Sequence, residues 1–175
     1  EAGITAFMNT QVQLDTEFGF MYFGYVRDSV TGEYVDPTCA LAGLSSKTAR
    51  HRTRAGVWTN FAGEKFPLIG FDAVHVKLNP TLAGVLNEMG VNVLRAEEVG
   101  VCANGCRTMT KTKKRDYKYI STVLNTQDCA YMVENSLKWV KFKNLSDGLY
   151  SGMTSSVVSV LEGRNKEGGF NTEDG

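Results

Sequence analysis

The chain has little of what membrane spans, metal centres and nucleotide sites are made of. No apolar run approaches the roughly 18 residues of a membrane helix. Only two histidines, His51 and His75, are present, and neither has a C-x-x-C beside it, so a zinc site lacks its second pair of ligands. There is no P-loop, no G-x-G-x-x-G, no H-E-x-x-H and no EF-hand loop, which leaves the commonest phosphate, dinucleotide, zinc and calcium chemistries without a motif. Net charge is missing too. The balance of 19 basic against 19 acidic residues argues against a dedicated nucleic-acid binder. No cofactor and no metal are implied.

What remains is an ordinary globular composition. With 175 residues, 42% hydrophobic and 22% charged, the chain can bury a sizeable single core. We expect one β-rich domain over residues 1–165 and a flexible or partner-docked tail over 166–175, because the sequence ends in the polar, Gly-rich stretch GRNKEGGFNTEDG.

The hydrophobic pattern reads mostly as strands. TQVQLD alternates Val12 and Leu14 with polar neighbours, and FGFMYFGYV is apolar enough to be covered on both faces. GFDAVHVKL alternates again, with Val74, Val76 and Leu78 on one side. RTMTKTKKRDYKYISTVL is a Thr, Lys and Tyr stretch of the kind half-exposed antiparallel strands use. Two segments read as short helices, at about 80–89 and 127–138. In the first, Asn79 is a cap, Pro80 fits the first helical position, Leu82, Val85, Leu86 and Met89 share a face, and Gly90 ends it. In the second, Thr126 is the cap and Cys129, Met132, Val133, Leu137 and Val140 form the stripe, though Trp139 to Phe142 could equally begin a strand. The expected class is therefore a β-rich α+β fold, an antiparallel sheet or sandwich with one or two short helices.

Four cysteines are an even number, consistent with two disulfides in an oxidising compartment. Cys102 and Cys106 flank an Asn-Gly turn and are the first candidate pair, with Cys39 and Cys129 completing the set. Four reduced, partly buried thiols are the alternative.

The stretch GYVRDSVTGEYVD reads as strand, tight turn, strand, and VWTNFAGEKFPLIGF follows some twenty residues later. Gly24, Val26, Asp28, Thr31, Gly32 and Glu33, then Thr59, Gly63, Phe66 and Gly70, give this region, about residues 24–71, a pattern that resembles the start of carboxypeptidase-regulatory and transthyretin-like β-sandwich modules. The insertion SSKTARHRTRAG departs from it. The resemblance implies a non-catalytic accessory or binding module.

Charge is unevenly spread. Residues 1–36 carry six acids against Arg27 alone. If TARHRTR is extended, Arg50, Arg52 and Arg54 share one face, and in KTKKRDYKY the residues Lys111, Lys113 and Arg115 do the same, with Tyr117 and Tyr119 continuing that face. Such stripes suit docking to a protein or an acidic polymer, or serve only as solvated, aggregation-resistant edges. Catalysis has weaker support. Asp72, His75 and a serine of GLSSK could be drawn as a triad, and Cys39 with His51 as a nucleophilic pair, yet both need geometry that spacing does not supply.

We therefore expect a non-enzymatic module, extracellular or extracytoplasmic or on a virion or cell surface, that acts by protein binding or self-association. A self-assembling filament or coat subunit and a polyanion-binding (acidic glycan or nucleic acid) module are the alternatives. A hydrolase ranks last.

Overall fold

The computed structural model of the chain describes residues 6, 15–49, 56–111 and 117–170. It is an α+β fold built on two small sheets. The first joins β1 (Met21–Phe23), β5 (Val91–Glu97) and β6 (Gly100–Asn104) in the order β1-β5-β6. Here β1 lies parallel to β5, Met21 beside Val91, while β5 and β6 form an antiparallel hairpin closed by Glu97 and Gly100. The second sheet, in the order β3-β2-β4, is antiparallel and joins β3 (Tyr34–Val35), β2 (Val26–Asp28) and β4 (Phe71–Val74).

Four helices are bounded among the described residues: α1 (Thr38–Ala49), α2 (Pro80–Glu88), α3 (Ile120–Ser136) and α4 (Asp147–Lys166). A 3-10 turn, Lys138–Val140, links α3 towards α4. With helices of 12, 9, 17 and 20 residues against strands of two to seven, the expectation of a β-rich sheet or sandwich with one or two short helices is corrected to a mixed fold with substantial helix.

Each departure has a local cause. FGFMYFGYV is not one strand, because Gly24, at φ 106°, turns the chain between β1 and β2 and sends them into different sheets. Its coverage on both faces is as expected: Tyr22 packs on the main core, Met21 and Phe23 on a second cluster beneath α2. The helix read at 127–138 begins at Ile120, so Thr126 is not its cap but lies inside α3, its hydroxyl donating to Thr122 O at 2.9 Å. No side chain caps α3; instead Ile120 N donates to Cys106 O at 3.0 Å. Of the long Thr/Lys/Tyr stretch, only the single bridge between Arg107 and Tyr119 has β pairing among the described residues. TQVQL, residues 10–14, lies outside them.

α2 forms as its residues dictate. Asn79 accepts from Leu82 N at 2.7 Å, Pro80 opens the helix and Gly90 leaves it at φ 83°. Its buried stripe is rotated towards Ala83 and Leu86, leaving Val85 exposed. α1 was hidden in the sequence by its Ser and Gly residues, yet Asp36 accepts from Thr38 N at 2.7 Å and Leu41, Leu44 and Thr48 face inward at helical spacing.

The main core gathers Val26 from β2, Leu41 and Leu44 from α1, Val74 from β4, Leu94 and Val101 from the hairpin, and Ile120 from α3. Fully buried Asn92 ties the first sheet to the chain beyond β6. Its Nδ2 donates to Met21 O (3.1 Å) and Arg107 O (2.8 Å), and its Oδ1 accepts from Arg107 N (2.7 Å). Every polar atom of the carboxamide is used, which is what makes a buried Asn tolerable.

Candidate assembly surfaces

Two exposed runs of eight residues stand out from this frame. The first, residues 29–36, follows from the turn between β2 and β3. Asp28 Oδ1 accepts from Val30 N (2.7 Å) and Thr31 N (3.1 Å), while Gly32, at φ 74°, donates its N–H to Asp28 O (2.9 Å). The Thr-Gly turn read from the sequence is thus present, with glycine where a left-handed residue is required. The turn holds Val30, which is 91% exposed, beside the acids Asp28, Glu33 and Asp36. Hydrogen bonds from the Thr38 hydroxyl and amide hold the Asp36 carboxyl below the usual range. Arg27 does not offset this charge, because Asp72 binds it through two contacts of 2.9 Å.

The second run, residues 141–148, is the corner between α3 and α4. Ser146 starts α4 by accepting from Leu149 N at 3.2 Å, which forces the chain before it into the open. Lys138, Lys141 and Lys143 are exposed here with Trp139, Phe142 and Leu145, and Asp147 is the nearest acid in sequence. Trp139 rests over Gly152 of α4, where a Cβ would meet its ring at 3.0 Å, and Lys143 Nζ lies 4.7 Å above that ring. Phe142 is fully exposed at φ 64°.

Sequence reasoning missed this corner. The alternation of Lys with Trp, Val and Phe in LKWVKFK is the signal, but past the helix expected at 127–138 it reads as a strand start rather than as an exposed corner.

The residues singled out from the sequence are placed as follows. Arg50, Arg52, Arg54, Lys113 and Arg115 lie outside the described residues, as does His51. Lys111 is exposed and its N–H donates to Asp15 Oδ1 at 2.8 Å. Tyr117 and Tyr119 are exposed, Tyr117 O accepting from Thr108 Oγ1 at 2.6 Å.

The disulfide expectation is corrected, since Cys39, Cys102, Cys106 and Cys129 are all free thiols. Asn104-Gly105 is not a hairpin turn but a close approach: a Cβ on Gly105 would sit 2.7 Å from the side-chain oxygens of Asn87 and Asn92. Beyond it Cys106 enters the main core, while Cys102 stays in β6, directed at Gly100 O (3.8 Å). Cys129 faces Asn125 on its own helix and Cys39 is exposed on α1.

No activated nucleophile is evident among these groups. Burial pushes the Cys106 thiol up to about 11, and burial, then Glu97 and Glu64, raises Cys102. Cys102 lies at a cleft of about 630 Å³ between residues 62–65 and the β5–β6 hairpin, whose charges, Glu64, Lys65, Arg95 and Glu97, are of both signs. Asp72 is committed to Arg27, and His75 packs edge-on against Tyr34 (4.9 Å) and Tyr25 (6.5 Å). Among the described residues no group of three or more His, Cys, Asp or Glu side chains is arranged to hold a metal, and no helix is long and apolar enough to cross a membrane.

The remaining charged cluster is structural. Arg164 of α4 is buried against Asp128 of α3, reaches Met132 Sδ at 3.0 Å, and stacks 4.8 Å over the Trp58 ring. With Asn125 Nδ2 donating to Gly169 O (2.7 Å), it fastens the end of α4 and residues 167–169, the start of the region expected as a tail (166–175), to the chain's own α3.

No protein-family model matches the chain, and no curated protein matches it. Solved structures do. The chain is similar to a chain of the six-fold symmetrised anti-feeding prophage (AFP) baseplate, at 22% identity and TM-score 0.78, over 88% of this chain and 41% of that one. It is similar to the sheath complex of an extracellular contractile injection system, PVC, in the contracted state, at 17% identity and TM-score 0.81, over 93% and 45%. A third match, the AFP baseplate in the contracted state, has 20% identity and TM-score 0.78, over 91% and 44%. The chain spans less than half the length of each of these chains. The two-sheet, four-helix arrangement is thus a fold shared with chains of contractile particles.

Proposed function

We propose that the chain is a non-catalytic assembly module, one subunit or part of a subunit of a contractile, injection-type particle, working outside the cytoplasm or on a particle surface. The observation that carries this reading is the match to the contracted PVC sheath complex over 93% of the chain at TM-score 0.81. The surfaces agree with it. Exposed apolar residues crowd the β2–β3 turn and the α3–α4 corner, while Asp72 is paired with Arg27, His75 packs on Tyr34 and Cys106 is buried. A self-assembling filament or coat subunit fits the same observation. Without disulfides, the location rests on these neighbours rather than on cysteine chemistry.

Mass-per-particle measurement on the native protein tests the proposal. Regular particles with many copies of the chain are expected. A chain that is monomeric at all concentrations and absent from every particle fraction overturns it.

A further inference from the structure

The corner at residues 141–148 and the turn at 29–36 differ in the one property that matters for joining copies: the sign of their charge. Residues 138–147 carry Lys138, Lys141 and Lys143 against Asp147; residues 28–36 carry Asp28, Glu33 and Asp36 and no base, the adjoining Arg27 being held by Asp72. Both present exposed apolar groups, Phe142 and Leu145 on one, Val30 and the outer edge of Tyr34, whose ring also meets His75, on the other, with exposures of 104%, 76%, 91% and 46%. The seventeen residues of α3 span about 25 Å, which sets the corner that far from Ile120, the α3 residue that shares the core with Val26 of β2.

Resting on the assembly reading above, we propose that the α3–α4 corner of one copy docks onto the β2–β3 turn of a second copy. Phe142 is the anchor. A bulky side chain at φ 64° is held in the left-handed region, which disfavours it, while its ring stands wholly in solvent. The turn that holds this φ is closed by Lys143 N donating to Val140 O at 3.1 Å, but the ring gains nothing from it, and burial against Val30 and Tyr34 of a neighbour covers the ring. A corner meeting its own copy across a two-fold axis would bring like lysines together, so the contact is heterologous, joining two different patches. Contacts of this kind propagate into rings or open helical arrays rather than stopping at a dimer.

Sedimentation of the full chain tests the inference with three variants: Lys141→Glu with Lys143→Glu, Val30→Lys with Glu33→Lys, and Phe142→Gly. Each is expected to weaken self-association at least tenfold. Phe142→Gly does so with a melting temperature equal to or above the parent's, since glycine relaxes the strained backbone. Mixing the two charge-reversed variants restores association. If the parent associates and all three variants match it, the corner-to-turn contact is overturned and the assembly reading stands. If the parent stays monomeric, both fall. Heparin binding that is lost in Lys141→Glu with Lys143→Glu, with no self-association by the parent, replaces the second copy with an acidic polymer.

Discussion

At the scale of single residues, the informative positions are those where the sequence suggested one chemistry and close packing imposed another. Asn104-Gly105 resembles a hairpin turn between two cysteines, but its glycine is there because Asn87 and Asn92 leave no room for a Cβ. Gly105 also sits at φ 122°. Gly105→Ala therefore meets both a clash and a strained backbone, and a loss of about 2–4 kcal/mol is expected in chemical denaturation. Cys106 gives a second prediction. Its folded pKa is raised, from 9.0 to about 11, so its contribution is fully present below about pH 9 and is lost as pH rises towards 11. Two pKa units correspond to about 2–3 kcal/mol. Tyr22, raised by burial and then by Cys106, steepens the same alkaline limb. Cys106→Ala should flatten the stability profile between pH 9 and 11; an unchanged profile would show that the thiolate is not what destabilises the folded chain there.

At the scale of elements, legibility followed the range of the interactions that start and stop each one. α2 was readable because its cap, first-turn proline and terminal glycine are all local. The β2–β3 turn was readable for the same reason, through Asp28, Thr31 and Gly32. α3 was read late because its start depends on Cys106 O, a backbone group fourteen positions before Ile120 and invisible to a periodicity argument. α4 was missed because Gly148, Gly152 and Gly163 lower its intrinsic propensity. Gly152 has a packing reason, the Trp139 ring. Gly152→Val should push that ring away, shift its fluorescence to longer wavelength and cost about 1–2 kcal/mol by overpacking. An unmoved emission maximum would mean that the ring does not depend on the glycine. The corner went unread because surface chemistry leaves no period: three lysines around two aromatics look the same to a sequence whether they are buried, solvated or docked.

At the scale of the whole molecule, the neutral total of 19 against 19 charges conceals an acidic turn and a basic corner, and in the assembly proposed above a contact between them is salt-dependent. At about 0.15 M ionic strength exposed charges are screened beyond about 8 Å, and further salt shortens that reach. Particle mass should therefore fall progressively between about 0.15 and 1 M salt. A mass constant over that range would assign cohesion to apolar contacts alone.

The parallel pairing of β1 with β5 has a consequence in time. Met21 pairs with Val91, seventy residues further along the chain. A ribosome adding about 5–20 residues per second leaves β1 exposed for roughly 4–14 s before its partner exists. Throughout that interval Phe18, Phe20, Met21 and Phe23 form an apolar segment without its sheet. β6 follows β5 within a few residues, so the three strands of the first sheet can meet only once residues 91–104 have been made. The interval in which the newborn chain carries this unpaired apolar strand is therefore the time taken to make the stretch from Gly24 to Gly90.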